Sequence, residues 1–340
     1  MTKALELELK NEVLLRIQKN FPLTSRPFLE IANELHTSEE KILEILNEAK
    51  SEKIIRQTSA IFDTRRLGYK SSLVAFEIAS EDIDEAVKIL NAHPGISHNY
   101  ERNHSFNIWF TIAVAPNSVI GLEKSIEILA KQTKAKDFII LPTLKLFKIS
   151  VKLDTTNKEE KQEELVKKSF KELELNDYHY KFIKLLQQDI KFVSEPFKYI
   201  IDELNINYDE LFEIANLFLE SGVMRRFASI LNHRKAGFSA NAMAVWEIDS
   251  EKAETFGPLA ASFSAVSHCY LRPQYPNWKY NLFTMIHGKS VEDVQETIDG
   301  IAKNIEFKSK MELYSSREFK KVRIVYFSDE FQAWEEANRE

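Results

Sequence analysis

Apolar positions recur at helical spacing in the first fifty residues and again near residue 180. Elsewhere they alternate with period two, or run unbroken for a strand's length. Val13 to Asn20 is apolar-periodic and stops at Phe21-Pro22. Arg26 to Leu35 predicts a second helix, with Pro27 in its first turn, where the missing N–H costs nothing. Thr37-Ser38-Glu39-Glu40 reads as a capping box opening a third helix, Ser38 to Lys50. Ile42, Ile45, Leu46 and Ala49 form its apolar stripe. A β-rich stretch, Lys53 to Phe62, follows and ends in Asp63-Thr64-Arg65-Arg66-Leu67-Gly68. Three helices and a β wing predict a winged helix-turn-helix, and Tyr178 to Lys235 repeats it.

After each wing the pattern becomes βαββαβ. In the first half the expected elements are a strand at Ser71–Ile78, a helix at Ile83–Ala92 and strands at Gly95–Arg102 and Phe106–Val114. A helix at Ser118–Lys131 and a strand at Lys136–Lys152 complete it. The second half gives Ala240–Ile248, Glu251–Ser262, Ala265–Arg272, Lys279–His287, Val291–Lys303 and Phe307–Phe327. The expected fold class is α+β: two tandem copies of a winged helix-turn-helix plus a ferredoxin-like βαββαβ domain, paired as an intrachain pseudo-dimer. The expected boundaries are 1–66 and 67–152 for the first pair and 178–236 and 237–328 for the second. A charged linker, 153–177, joins them, and a tail occupies 329–340.

The chain is an internal repeat. Arg26-Pro27-Phe28 aligns with Glu195-Pro196-Phe197, Phe76-Glu77-Ile78 with Trp246-Glu247-Ile248, and Ser97-His98 with Ser267-His268. The second copy has an insertion between Arg272 and Tyr280 that adds Pro, Tyr, Trp and Lys. Both copies carry Ser-His-x-Tyr-x-Arg followed by an aromatic-Asn-aliphatic-aromatic run (Phe106-Asn107-Ile108-Trp109 and Tyr280-Asn281-Leu282-Phe283). On a strand, alternate side chains share a face. His98, Tyr100 and Arg102 therefore point one way, as do His268, Tyr270 and Arg272. A proton donor or metal ligand, a phenol and a fixed cation on one face suit a flat, anionic ligand.

Composition narrows the classes. Of the 340 residues 44% are hydrophobic, which is ordinary for a globular protein. No apolar run is long enough for a membrane span, and the charged N-terminus lacks a signal peptide's apolar core, so a cytoplasmic protein is expected. The single Cys269 excludes an internal disulfide and reads as a small buried hydrophobe. The formal charge is −6. The third helix of each helix-turn-helix is acidic: Glu39, Glu40, Glu44 and Glu48 against Lys41 and Lys50, then Asp209, Glu210, Glu213 and Glu220 with no base. A DNA-reading helix needs cations near the phosphates, so no DNA partner is expected.

The helix-turn-helix plus βαββαβ layout resembles the leucine-responsive/asparagine-operon regulators. The Ser-His-x-Tyr-x-Arg strands, with IIRQTSAIFDTRRLGY (54–69) and VMRRFASILNHRKAGF (223–238), are specifically similar to the siroheme decarboxylases, relatives that do not bind DNA and consist of two related subunits. The first half resembles one subunit and the second half the other, so the chain reads as a natural fusion. The resemblance implies a carboxy-lyase that converts siroheme to 12,18-didecarboxysiroheme, with loss of two carbon dioxides from acetate side chains, on the way to heme d1 or heme. Siroheme iron belongs to the substrate, so no separate cofactor is implied. The partners implied are siroheme and its product, with no membrane and with a further homo-oligomer left open. A tetrapyrrole-sensing regulator without catalysis is the alternative.

Siroheme carries eight carboxylates on a planar ring, and Arg binds carboxylates bidentately. The expected substrate-binding residues are Arg225, Arg226, His233, Arg234 and Lys235 at the second wing, then Tyr275, Trp278 and Lys279, with Tyr100 and Arg102 from the first half. The expected catalytic residues are His268, Tyr270, Arg272 and His98, and either His268 or His98 is the candidate axial ligand of the siroheme iron. Asp63, where the second half has Asn232-His233, is expected to repel an anionic ligand. The second half is therefore the expected catalytic half.

Overall fold

A computed structural model describes residues 3–19, 21–149, 170–231 and 240–339. The chain divides into two compact units, and each draws on both sequence halves. The described parts of the first are residues 3–19, 21–68, 170–231 and 325–328; those of the second are 69–149, 240–324 and 329–339. The fold thus pairs like with like: helix-turn-helix with helix-turn-helix, sheet with sheet.

The first unit holds helices α1 (Lys3–Lys19), α2 (Pro27–Glu34) and α3 (Glu39–Ser51), with strand β1 (Ile55–Phe62). Its second half supplies α6 (Asp177–Leu186), α7 (Lys198–Leu204), α8 (Tyr208–Glu220) and β7 (Met224–Leu231). One sequence expectation is corrected here. Ser38 caps α3 through the Lys41 N–H at 3.2 Å, and because the third helical residue is Lys41, not Glu, the box is one-sided. The wings do not close within each half. β1 pairs antiparallel with β7 as a two-stranded sheet, so each wing strand satisfies its backbone on its counterpart. Thr58 and Ser229 share a hydroxyl hydrogen bond of 2.6 Å inside that ribbon. The apolar centre is likewise shared: Phe21 lies 5.7 Å from Phe28, 6.3 Å from Phe197 and 5.1 Å from Phe227, ring centre to ring centre. Both lysines of α3 are occupied, Lys41 by Glu44 and Lys50 by Asp189.

The second unit is built on β2 (Lys70–Glu77), α4 (Ile83–Ala92), β3 (Ile96–Arg102), β4 (Ile108–Val114), α5 (Leu122–Gln132), β5 (Asp137–Pro142) and β6 (Lys145–Ile149). The other half adds β8 (Ala240–Glu247), α9 (Ala253–Ala261), β9 (Val266–Leu271), β10 (Leu282–Gly288), α10 (Val291–Ala302), β11 (Ser309–Lys321) and α11 (Asp329–Ala337). The hydrogen-bonded order among the described strands is β5-β2-β4-β3-β11-β8-β10-β9-β6. The long strand expected at Lys136–Lys152 breaks at Thr143-Leu144 into β5 and β6. β5 stays with its own half on β2, and β6 crosses to β9. β11 does the same without a break, pairing with β8 over Ser309–Tyr314 and with β3 from Ser315 onward. The two four-stranded sheets are thereby sewn together at both seams.

The helices cover the outer faces. Against the second half's sheet, Trp246, Val266, Cys269, Leu282, Ile286, Val294 and Ile298 form a buried core. Phe147 from β6 enters it beside Gly257 of α9, where a Cβ would collide with the ring. Cys269 is fully buried, and burial pushes its thiol up to about 12. The inner faces of both sheets share a second core: Ala75, Phe106, Trp109, Ile139 and Leu141 from one half meet Met243, Val245, Trp278, Tyr280, Phe283 and Leu313 from the other. At roughly 25 cal/mol per Å² of apolar surface, burying such aromatic side chains is a leading stabilising term.

The tail expected at 329–340 holds an ordered helix. Phe331 and Trp334 of α11 pack on the buried His93 ring at 5.8 and 4.2 Å. Burial holds that imidazole neutral, down to about 3. Glu335 is 6% exposed and accepts from the N–H groups of Val119 and Ile120 and from the Ser118 hydroxyl, ahead of α5. The linker expected at 153–177 lies mostly outside the described residues; its last residue, Asp177, begins α6.

Candidate active site

Each Ser-His-x-Tyr-x-Arg segment forms a strand, and each strand is kinked by a β-bulge at its Ser-His pair. In β3 the register passes from Ile96 opposite Ile112 to His98 opposite Thr111; in β9 it passes from Val266 opposite Ile286 to His268 opposite Met285. A bulge inserts one residue and re-aims its side chain. The consequence is local: Ser97 Oγ reaches His98 Nδ1 at 2.9 Å, and Ser267 Oγ reaches His268 Nδ1 at 2.8 Å. Neighbours on an unbroken strand would face opposite ways.

From the histidine onward the side chains stack. The His268 and Tyr270 rings lie 6.0 Å apart with planes at 23°, and the Arg272 guanidinium sits 4.7 Å from the Tyr270 ring centre and 5.4 Å from that of Phe283. In the other half His98 and Tyr100 are 6.3 Å apart at 30°, and Arg102 lies 5.6 Å from Tyr100. His98, Tyr100, His268 and Tyr270 are all half-buried.

The arginines take partners that the sequence did not suggest. Arg102 donates from Nη1 to the Leu313 carbonyl at 2.6 Å, and Arg272 donates from Nη1 to the Leu141 carbonyl. These carbonyls occupy equivalent places on β11 and β5, so each arginine fastens the opposite half's last strand. Main-chain oxygens thus hold one nitrogen, Nη1, of each guanidinium. Arg102 is 6% exposed; burial lowers its guanidinium to about 10, with the Tyr100 ring opposing the shift.

Asn107 and Asn281 are the functional residues of the scaffold that sequence reasoning passed over. Asn107 accepts from the Ile78 N–H at 2.9 Å and donates to the Ile78 carbonyl at 2.8 Å; Asn281 does the same with Ile248 at 3.0 Å each way. Their own carbonyls accept from the N–H groups of Arg102 and Arg272, both at 2.8 Å. The recurring Asn in the aromatic run was the available signal.

The insertion peculiar to the second half, expected to offer Tyr275, Trp278 and Lys279 to a ligand, is built as a wedge between the halves. Trp278 is 2% exposed and packs on Trp109, His104 and Phe106 of the first half, with ring centres 5.2, 5.5 and 6.3 Å away. Tyr275 donates its hydroxyl to the Ile140 carbonyl at 2.6 Å. Lys279 is exposed and pairs with Glu247 at 3.3 Å.

Among the wing cations, Arg225 and Arg226 are exposed on β7 in the first unit. Arg225 grips Asp63 Oδ2 through Nε at 3.1 Å and Nη2 at 2.9 Å. Burial alone would raise the Asp63 carboxyl, but Arg225 and the N–H groups of Arg66 and Arg65 hold it below the usual range. Asp63 is therefore a neutralised partner of the wing rather than a bare repelling charge. Arg226 keeps solvent contact, yet partial desolvation and the like charge of Arg225 lower its guanidinium. His233, Arg234 and Lys235 lie outside the described residues.

A helix-turn-helix pair joined to a doubled, sewn sheet bearing two His-Tyr-Arg strands defines an AsnC-like protein with its ligand-binding domain duplicated. Family models agree: residues 66–148 and 235–320 match the AsnC-like ligand binding domain, and residues 10–56 match the siroheme decarboxylase NirDL-like HTH domain. The chain is 39% identical over 324 residues to the siroheme decarboxylase of Hydrogenobacter thermophilus, covering 95% of this chain and 96% of that one. The crystal structure of the siroheme decarboxylase NirDL superposes with a TM-score of 0.78 at 33% identity, covering 97% of each chain. A crystal structure of the siroheme decarboxylase NirDL in co-complex with an iron-uroporphyrin III analogue superposes with a TM-score of 0.77 at 34% identity, covering 96% of this chain and 97% of that one. The chain belongs to the siroheme decarboxylase family. The full-length relatives are decarboxylases, so the reading as a non-catalytic regulator is set aside. No helix among the described residues is long and apolar enough to cross a membrane.

Proposed function

We propose that this protein is a carboxy-lyase that decarboxylates siroheme, removing two acetate carboxyl groups to give 12,18-didecarboxysiroheme. The observation that carries this reading is the full-length similarity to siroheme decarboxylases, one of them crystallised with an iron-uroporphyrin analogue, in a chain that keeps both His-Tyr-Arg strands. The iron arrives with the substrate. Loss of carbon dioxide breaks the bond between the acetate methylene and its carboxyl carbon. The electron pair left behind delocalises into the macrocycle and must be quenched by a proton at the methylene carbon. His268 is the proposed proton donor, and Tyr270 beside it lines the ligand face. Arg272 keeps the strand in place by holding Leu141, with its charge supported on Tyr270 and Phe283. His98 and Tyr100 form the equivalent, less equipped set. Arg225 and Arg226 are proposed to attract the carboxylate-rich substrate. The acidic α3 and α8 give no purchase on a DNA duplex, so no DNA partner is proposed.

Anaerobic incubation of the purified protein with siroheme, followed by mass spectrometry, tests the reading. Loss of two carbon dioxides is the expected result, and recovery of siroheme unchanged would refute it.

A further inference from the structure

Behind His268 the second half contains a polar chain that the first half lacks. Ser267 Oγ lies 2.8 Å from His268 Nδ1 on one side and 2.9 Å from His287 Nε2 on the other. The Met285 carbonyl is a second acceptor for the Ser267 hydroxyl proton, at the longer distance of 3.2 Å. Ser267 is 8% exposed or less, at 6%, whereas His287 is only partly buried and within reach of solvent protons. In the first half Ser97 Oγ has the matching contact with His98 Nδ1, but its other partner is the Thr111 hydroxyl at 2.8 Å. The residue aligned with His287 is Ala113, and the one aligned with Thr111 is Met285. One serine therefore ends on a titratable imidazole and the other on a hydroxyl.

We infer that Ser267 and His287 are a proton-supply line that positions and recharges the ring of His268. The inference rests on the reading that His268 is the proton donor. With Ser267 donating to Nδ1, the His268 proton sits on Nε2, the ring nitrogen turned away from the serine. When Nε2 delivers that proton to the methylene carbon, Nδ1 takes the Ser267 hydroxyl proton. Ser267 takes the proton on His287 Nε2, and His287 gains one from solvent at Nδ1. Both rings then carry their proton on Nδ1. Once product has left, a solvent proton taken up at His268 Nε2 drives the line back to its starting tautomers, with His287 Nδ1 returning its proton to solvent. One carbon–carbon bond breaks, one carbon–hydrogen bond forms, carbon dioxide leaves, and one solvent proton is consumed per turn. His268 passes through the cycle without holding a net charge, which suits a half-buried ring in a largely apolar wall. Ser267 and His287 do not touch substrate in this scheme; they are positioning residues.

The test uses the full chain under anaerobic siroheme turnover, with kcat and KM separated and folding checked by melting temperature. Ser267→Ala and His287→Gln are expected to lower kcat roughly tenfold or more with KM changed less than about twofold, because only proton delivery is impaired. Ser267→Thr, which keeps the hydroxyl, is expected to recover most of the rate. Gln at position 287 keeps a donor near the position of Nε2 but carries no mobile proton. A His287→Gln enzyme at wild-type kcat would therefore reduce His287 to a structural contact and overturn the inference. Wild-type kcat in Ser267→Ala would do the same, and if that variant fails to fold, His287→Gln decides alone. Thr111→Val in the first half is expected to leave kcat unchanged; a loss equal to that of His287→Gln would overturn the assignment to the second half. His268→Ala in the same series separates the two claims: if it retains activity, the donor assignment has failed, and if it is inactive while both relay variants are unimpaired, only the relay has.

Discussion

β3 and β9 are two versions of one device, and they differ only in part. Each has a bulge that brings Ser beside His, a Tyr beside the His, an Arg fastened to the other half's last strand, and an Asn pinning the neighbouring main chain. What differs lies behind the histidine and across from it: Thr111 and Ala113 in one half, Met285 and His287 in the other, and a tryptophan wedge from one side only. Duplication has kept the framework equal and let the residues around each histidine diverge. Shared geometry at a site is thus weak evidence for shared activity, and the unequal residues carry the information.

The largest expected effect tests the wedge. Trp278→Ala removes a fully buried indole that three first-half aromatics touch, and should cost about 3–5 kcal/mol of stability, read by denaturant unfolding. A cost under about 1 kcal/mol would show that the wedge is dispensable. Next, His268→Ala should lower kcat by roughly 100-fold or more, and His98→Ala by distinctly less. If His98→Ala is the more damaging, with both variants folded, the functional halves are reversed. The paired asparagines should behave alike: Asn107→Ala and Asn281→Ala each leave two buried main-chain groups unsatisfied, for a loss of about 1–3 kcal/mol. A gap between them larger than about 1.5 kcal/mol would mean that the framework too has diverged. The smallest effect concerns Asp63. Its carboxyl is depressed in the fold, so its contribution is present above the unfolded carboxylate range and lost as pH falls through the folded value. Arg225→Ala should shallow the acid-unfolding limb by roughly 0.5 kcal/mol, since Arg225 is substantially exposed. An unchanged limb would remove the pair from the account.

Much of the framework was legible because it is local. The stripe Ile42, Ile45, Leu46 and Ala49 is buried in α3, and Ile83–Ala92 is a helix at the expected bounds. The duplicated fold class was legible from the repeat itself. What pairs across the halves was not, because a strand's partner leaves no mark in its own alternation. Hence β1 with β7 and β6 with β9 emerge only in three dimensions. The bulges were equally silent: Ser267 and Ser97 look like strand residues pointing away from their histidines. The packing of Trp278 and Tyr275 was not legible either, because an aromatic insertion beside a binding strand has the same sequence signature whether it faces a ligand or plugs a core. Asp63 was misjudged for want of its partner, Arg225, more than 150 residues away in the chain.

β11 sets a timetable for the protein's birth. β3 hydrogen-bonds to Ser315–Lys321, residues made more than two hundred positions later, and β1 waits similarly for β7. During synthesis from the N-terminus the first half's sheet therefore emerges with an open edge at β3, bearing the half-buried His98 and Tyr100. That edge closes only when nearly the whole chain has left the ribosome. A chain stopped before Ser309 has every residue of the first half and still lacks the strand that finishes it.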